Sequence, residues 1–238
     1  MRANLLAAQD LKIDWASMPT YNTIMSVAAG TGLLLVVRLA GLIIAGRPWR
    51  PEGWALAFAV PGFILTTTGL HMTLTWPLAA GGFPFDNIIF GEPSLAFGVL
   101  MLAAALYLWK RGAELLESTD PGAALAQLAA PMSVFVVGLG LASFGIAAAG
   151  VGYELFAAPP QEPISGAFAD YPLVEAIFIS GLYALVGVGA VLFPFALRPT
   201  GGGVLSALRI VWGLAGLAFL LFGAMNYFTH IGLIVNTM

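Results

Sequence analysis

The sequence of 238 residues has no cysteine, few charged side chains and only two histidines. Without cysteine the chain forms no disulfide, no thiolate-ligated zinc or iron–sulfur site and no thiol redox centre. Charged residues make up 9% of the chain, against about a quarter in an ordinary soluble domain. The net charge of −3 comes with no basic patch, which argues against nucleic acid as a partner.

Long apolar runs take the place of charge, since 60% of the residues are hydrophobic. Six stretches have the length of about 20 residues that a helix needs to cross a bilayer. They are Tyr21–Ala45, Trp54–Trp76, Pro93–Trp109, Pro131–Tyr153, Pro172–Leu197 and Val204–Val235. Only short loops and a tail remain outside them. The sequence therefore predicts an all-α, polytopic membrane helix bundle, with residues 1–238 as a single transmembrane domain and lipid as its surroundings.

The fourth span has two candidate beginnings. Pro131 suits the first turn of a helix, where the missing N–H costs no hydrogen bond. Alternatively it kinks one long helix that begins near Asp120.

Basic residues predict the orientation of the bundle. They are concentrated at the loops between spans one and two, three and four, and five and six: Arg47, Arg50, Lys110, Arg111, Arg198 and Arg209. The intervening loops and the C-terminal tail contain no lysine or arginine. The positive-inside rule places the basic loops in the cytoplasm and both termini on the outer side. The expected location is the plasma membrane, as a multi-pass protein.

Both histidines fall late in spans that run outward in this topology. His71 shares a helix face with three threonines, and His230 shares one with Asn226. Polar groups are costly in hydrocarbon, so such faces normally point into the bundle or a wet cavity. We therefore expect a polar site in the outer half of the bundle.

Carboxylates gather at the same level. They are Asp86 and Glu92 before the third span, Glu154 after the fourth, and Glu175 in the first turn of the fifth. Histidine and carboxylate from different helices are the ligands from which bundle metal sites are assembled. His71, His230, Glu92 and Glu175 are thus candidate ligands of a transition-metal ion. His71 and His230 alone would equally suit haem b and electron transfer.

Structural interpretations of the same residues stay open. Either histidine could simply hydrogen-bond to a threonine or a backbone carbonyl, and Glu92 and Glu175 are well placed to interact with helix N-termini. The second function is therefore an accessory or structural subunit of a larger membrane complex, without chemistry of its own. The glycine-rich fourth span suits it, because Gly138 and Ala142 give a spacing that lets helices approach closely. The third is a small proton-coupled transporter. Whether the protein is an enzyme is left open.

Two segments carry a resemblance: GLHMTLTWPL, residues 69–78, and NIIFGEPSLAFG, residues 87–98. They resemble a family of prokaryotic multi-helix integral membrane proteins that is classed as a domain of unknown function. The resemblance implies a prokaryotic membrane protein, with His71 and Glu92 in the recognisable core of the family. It implies no activity.

Overall fold

The computed structural model describes residues 13–76 and 83–238. Regular structure in these ranges is helical, and six helices are long and apolar enough to cross a membrane. They are α1 (Asn22–Ile44), α2 (Pro51–Leu74), α3 (Asn87–Glu117), α4 (Pro121–Gly152), α5 (Pro172–Ala196) and α6 (Gly202–Thr237). The predicted all-α bundle of six membrane-spanning helices is confirmed. Pro77 and Leu78, which end the first of the two family-like segments, lie outside the described residues.

Two helices differ from their predicted bounds. α3 begins six residues before Pro93, with a π-helical turn over Asn87–Gly91. α4 is the long helix that was the alternative for the fourth span, with a 3₁₀ turn over Ala130–Met132 where Pro131 removes a backbone donor. Asp120 begins it by accepting the N–H of Ala123 at 2.9 Å.

The helices pack in antiparallel pairs. α2 lies along α3, α4 along α5 and α1 along α6, and α5 also packs on α6. Glycines allow the close crossings: a Cβ atom at Gly69 of α2 would lie 2.8 Å from the carbonyl oxygen of Gly91. Because lipid tails supply no hydrophobic drive between helices, such backbone contacts carry much of the association.

The glycines of α4 fall on two faces. Gly140 and Gly150 face α5, where a Cβ atom on Gly140 would lie 3.1 Å from the carbonyl oxygen of Gly187. Around Gly138 and Gly145 there is open space instead. Gly138, of the predicted small-residue pair, therefore meets no other helix of the described residues. Sequence spacing identified the small residues but not the face that α5 covers.

The two ends of the bundle differ in charge. The end that carries the first described residues and the end of α6 has seven described carboxylates: Asp14, Asp86, Glu92, Glu154, Glu162, Asp170 and Glu175. No lysine or arginine accompanies them among residues 13–76 and 83–238. We call this the acidic end. The opposite half, the basic end, has the described basic residues Arg38, Arg47, Arg50, Lys110, Arg111, Arg198 and Arg209, with four carboxylates.

Candidate functional site: a cavity at the acidic end

A cavity of about 150 Å³ lies at the acidic end, among α1, α5 and α6. Three segments contribute to its wall from outside the helices: residues 13–20, 83–86 and 155–165. Its polar lining consists of Thr20, Asn22, Asp86, Glu162, Ser165, Glu175, Asn226 and His230. Two of the four predicted ligands, Glu175 and His230, therefore share this cavity.

His230 faces a carboxylate that the sequence did not single out. Its Nε2 atom lies 3.8 Å from Oε1 of Glu162, which belongs to the loop between α4 and α5. Burial raises the pKa of Glu162, the nearby charge of Glu175 adds to the rise, and the Thr229 hydroxyl opposes it. The pair joins the loop to α6 at the wall of the cavity.

The loop that carries Glu162 is fixed against the end of α6. The side-chain amide of Asn236 donates to the carbonyl of Gln161 at 2.8 Å. Two residues beyond Glu162, Ile164 has φ +67°, and the N–H of Ser165 donates to the carbonyl of Pro163 at 2.8 Å. This three-residue turn is a rare conformation for a β-branched residue. It directs the chain back toward the cavity at Ser165.

Glu175 is held by the same loop from the other side. In the first turn of α5 its Oε2 atom accepts the N–H of Ala158 at 2.6 Å. That charge-assisted bond orients the carboxylate. The loop between α4 and α5 therefore positions two carboxylates, one of its own and one of α5.

Asp86 is the most buried carboxylate of the cavity. Its side chain is 6% exposed and makes no hydrogen bond to any described residue. Because burial disfavours the ionised form, the pKa of Asp86 rises from its ordinary 3.8 to about 7. An acid in this state gains from any cation that enters beside it.

The beginning of α3 holds Asp86 in place. The side-chain amide of the next residue, Asn87, donates to the carbonyls of Met72 and Thr75 at the end of α2. The Tyr183 hydroxyl on α5 donates to the carbonyl of Ile89 at 2.7 Å. The π-helical turn is thus anchored to two helices.

The other two predicted ligands lie elsewhere. His71 is exposed, lies outside the cavity lining, and its Nδ1 atom is 2.6 Å from the Tyr21 hydroxyl. Glu92 is also exposed and lines a separate groove with Thr73 of α2 and Phe135 of α4. His71 thus has a hydrogen-bond partner in the structure, but the partner is a tyrosine hydroxyl and not the threonine or backbone carbonyl of the structural interpretation.

A ready metal centre is not present in the described part of the chain. Within residues 13–76 and 83–238, no three histidine, aspartate or glutamate side chains are placed to hold one ion. Metal or haem ligation by His71, His230, Glu92 and Glu175 stays a prediction. Of these four, His230 and Glu175 are the two that share a cavity.

Sequence reasoning named Asp86 as one of the acids near the outer face but did not select it, and it missed Glu162. The signal for Asp86 was its place directly before a family-like segment that begins at Asn87. For Glu162 the signal was the density of prolines around it, because prolines at 159, 160 and 163 restrict the backbone of that loop.

The chemistry of the cavity is that of an acceptor-rich site. Three carboxylates and an imidazole face it, and the described residues place no lysine or arginine on its wall. The amide oxygens of Asn22 and Asn226 lack hydrogen-bond partners in the described structure. Such a site can attract a cation, or exchange a proton on a carboxylate for one.

Comparison with curated proteins and with solved structures gives no match for this chain. A family model described as "Protein of unknown function (DUF981)" matches residues 18–232. The match extends from before α1 into α6. Of the residues that line the cavity, only Ile13, Trp15, Leu233 and Ile234 lie outside it. The predicted membership of an uncharacterised family is confirmed: the chain belongs to the DUF981 family of proteins of unknown function.

Proposed function

We propose that this membrane protein binds a cation in the cavity at its acidic end. Asp86, Glu162 and Glu175 supply negative charge there, and His230 supplies a further ligand atom when it is neutral. The observation that carries the proposal is Asp86, a carboxylate that is 6% exposed, lines the cavity and has no partner among the described residues. A buried carboxylate without a partner is costly, and a bound cation removes that cost.

The sequence-based metal hypothesis can be applied to this cavity with a different set of ligands. A transition-metal ion in this cavity would use His230 and Glu175, with Glu162 and Asp86 as neighbours in place of His71 and Glu92. The bis-histidine haem b of the sequence hypothesis needs both imidazoles on one cofactor, whereas His71 is hydrogen-bonded to Tyr21 outside the cavity. The cavity volume of about 150 Å³ is also below the roughly 300–1,000 Å³ of sites for larger ligands. We therefore favour a small cation, and we extend the proposal to no reaction.

The charge difference between the ends supports an orientation. With basic residues kept in the cytoplasm, the acidic end and its cavity face the outside of the cell. The cavity then draws its cation from the exterior, and the location remains the plasma membrane of a prokaryote. The seven carboxylates of the acidic end raise the local concentration of cations near the entrance.

The proposal is tested by titrating detergent-purified protein with Na⁺, Ca²⁺, Mn²⁺, Zn²⁺ and n-butylammonium. Heat of binding and the rise in unfolding temperature measure affinity, because a ligand of the native state alone stabilises it. We expect at least one cation to bind, and Asp86→Asn and Glu175→Gln to weaken it at least about tenfold, since each removes a charge-assisted contact of roughly 1.5–3 kcal/mol.

Two matched controls come from the predicted ligands outside the cavity. Glu92→Gln and His71→Ala remove an exposed acid and an exposed imidazole at the same end, and binding should not change in either. If no cation binds the wild type, or if these controls lose as much affinity as Asp86→Asn, the cavity is not a cation site.

A second function is favoured by a different observation. The open face of α4 carries small residues at helical spacing, Gly138, Ala142, Gly145 and Gly152, and none of these glycines meets another helix of the described chain. Glycines cost a helix stability, so an unused stripe of them supports contact with a helix outside this chain. This is the accessory-subunit hypothesis, and it is compatible with the cavity.

The subunit hypothesis predicts the effect of bulk on that face. Gly145→Leu should disrupt a complex isolated by mild solubilisation, whereas Gly181→Leu should leave it intact, because Gly181 of α5 also faces open space but lies off the stripe. Size-exclusion chromatography of the wild type and both variants gives the answer. An unchanged elution volume for Gly145→Leu would remove the support for this hypothesis.

A further inference from the structure

The apolar part of the cavity wall includes six aromatic side chains. Its rings are those of Trp15, Phe83, Phe85, Phe90, Phe156 and Phe222. They come from the segment before α1, the loop before α3, the turn after α4, and α3 and α6 themselves. An aromatic wall is a poor replacement for the oxygen ligands that Ca²⁺ and Mg²⁺ require. The electron-rich face of a ring does attract an organic ammonium ion.

The described carboxylates of the cavity are not arranged as the ligands of one metal ion. Asp86 precedes α3, Glu162 lies beside His230 at 3.8 Å, and Glu175 is already bonded to the N–H of Ala158. Within the described ranges, no three acidic or imidazole groups are placed for one ion. An ammonium group needs no such coordination sphere, because one carboxylate can bind it while its hydrocarbon part contacts the rings.

Acceptor atoms without a hydrogen-bond donor favour an ammonium ion whose nitrogen still carries hydrogens. Asn22 of α1 and Asn226 of α6 line the cavity, and the amide oxygen of each is without a donor in the described structure. An N–H donor that enters the cavity can supply such a missing hydrogen bond, and a quaternary ammonium cannot. The buried carboxylate of Asp86 also accepts hydrogen bonds from such a donor.

Size limits the rest of the ligand. The cavity volume of about 150 Å³ equals that of an engineered cavity that takes benzene, a molecule of six heavy atoms. Given the proposed cation site, on which this step rests, we infer that the cavity binds a small primary alkylammonium ion of about four to six heavy atoms. One carboxylate and the amide oxygens bind its NH₃⁺ group, and the aromatic side chains contact both the charged group and the hydrocarbon part.

The inference is tested with probes matched in size. Detergent-purified protein is titrated at pH 8 with n-butylammonium, 1-butanol, tetramethylammonium and Mn²⁺. We expect n-butylammonium to bind at least about tenfold more tightly than each of the other three. 1-Butanol has the same heavy-atom count without charge, and tetramethylammonium has charge without N–H donors.

A pair of aromatic variants on one helix tests the wall. Phe222→Leu on α6 should weaken n-butylammonium by about three- to thirtyfold, the range for losing one cation–π contact. Phe228→Leu on the same helix should have no effect, because Phe228 is 64% exposed and lies off the cavity.

The outcomes separate this inference from the broader proposal. Tighter binding of Mn²⁺ or tetramethylammonium, abolished by Asp86→Asn, would overturn the alkylammonium inference and leave the cation site standing. Equal loss in Phe222→Leu and Phe228→Leu would also overturn it, as would 1-butanol binding as tightly as n-butylammonium. If none of the cations binds, both ideas fail.

Discussion

At the scale of single residues, Asp86 is a carboxylate of the acidic end whose ionisation in the folded protein costs free energy. Its pKa of about 7, against an ordinary 3.8, corresponds to roughly 4 kcal/mol against the ionised form, at 1.36 kcal/mol per pKa unit. Acids with strongly shifted pKa values are concentrated at functional sites. Cation binding is the offset that the neighbouring carboxylates and the acceptor-rich wall support.

That cost gives a stability prediction for Asp86→Asn in the absence of ligand. Because burial raises the pKa in the folded state, the wild type loses stability as pH rises from about 4 to about 7 and then levels off. Asparagine does not ionise. The variant should match the wild type near pH 4 and be more stable at pH 8 by up to about 4 kcal/mol.

Thermal unfolding of ligand-free protein in one detergent at both pH values measures this difference. The matched control is Asp170→Asn, an exposed acid at the same end, which should change little at either pH. A variant that is less stable than the wild type at pH 8 would contradict the assignment of Asp86 as a buried acid without a partner among the described residues.

Single residues are also where sequence reasoning was least complete. It found His230 and Glu175 because polar residues in apolar spans stand out. It gave the same weight to His71 and Glu92, since depth along a helix does not tell which way a side chain points. Glu162 could not be found in this way, because its burial depends on a loop folding back onto α6.

At the scale of elements, helix crossings depend on a few glycines and on the way α3 begins. Gly69 on α2 lets that helix touch the backbone of α3 near Gly91. Asn87 and the π-helical turn then tie the beginning of α3 to the end of α2. Since Asp86 directly precedes this turn, the α2–α3 contact also positions the cavity.

The glycines give a matched pair of variants. Gly69→Ala should destabilise the protein by about 1–3 kcal/mol, because the new methyl group meets backbone atoms that cannot move aside. Gly138→Ala on α4 should be neutral or stabilising by up to about 1 kcal/mol, because its surroundings are open. Unfolding temperatures of the isolated protein test both.

Equal effects of the two alanines would mean that the α2–α3 crossing is looser than described. A loss of stability confined to Gly138→Ala would instead indicate that the open face of α4 is occupied in the purified protein.

The elements themselves were largely predictable. Long apolar runs predicted six helices, but the beginning of the fourth stayed open between Pro131 and a residue near Asp120. The π-helical turn before Pro93 was not predictable, because a proline at that position suggests the first turn of the helix. The residues before it are held in the turn by side-chain hydrogen bonds from Asn87 and Tyr183.

At the scale of the whole molecule, the protein has one end rich in carboxylates and one rich in basic residues. Composition alone predicted a membrane protein, since a chain with 9% charged residues has too few to cover a soluble surface. Which helices pair depends on tertiary packing, and the three antiparallel pairs follow from the structure.

The absence of cysteine makes the orientation directly testable. Asp170→Cys at the acidic end and Ser118→Cys at the basic end each introduce the single thiol of the chain. In right-side-out vesicles, a membrane-impermeant maleimide should label Asp170→Cys and should label Ser118→Cys only after the vesicles are opened. The reverse pattern would place the cavity on the cytoplasmic side.

The pH dependence of cation affinity tests the central claim most directly. Asp86 shares its surroundings with Glu162, Glu175, His230 and Tyr183, so its own contribution is isolated by comparing the wild type with Asp86→Asn. The probes are n-butylammonium, which like lysine stays protonated up to about pH 10, and Mn²⁺. Affinity is measured by calorimetry from pH 5.5 to 8.5.

For whichever probe binds, we expect wild-type affinity to fall by up to about tenfold per pH unit below pH 7, as the Asp86 carboxylate takes up a proton, and to level off above pH 7. Asp86→Asn should bind more weakly at pH 8 and lose the part of the profile centred near pH 7. Wild type and Asp86→Asn with the same affinity at every pH would contradict the claim that this cavity is a cation site built around Asp86.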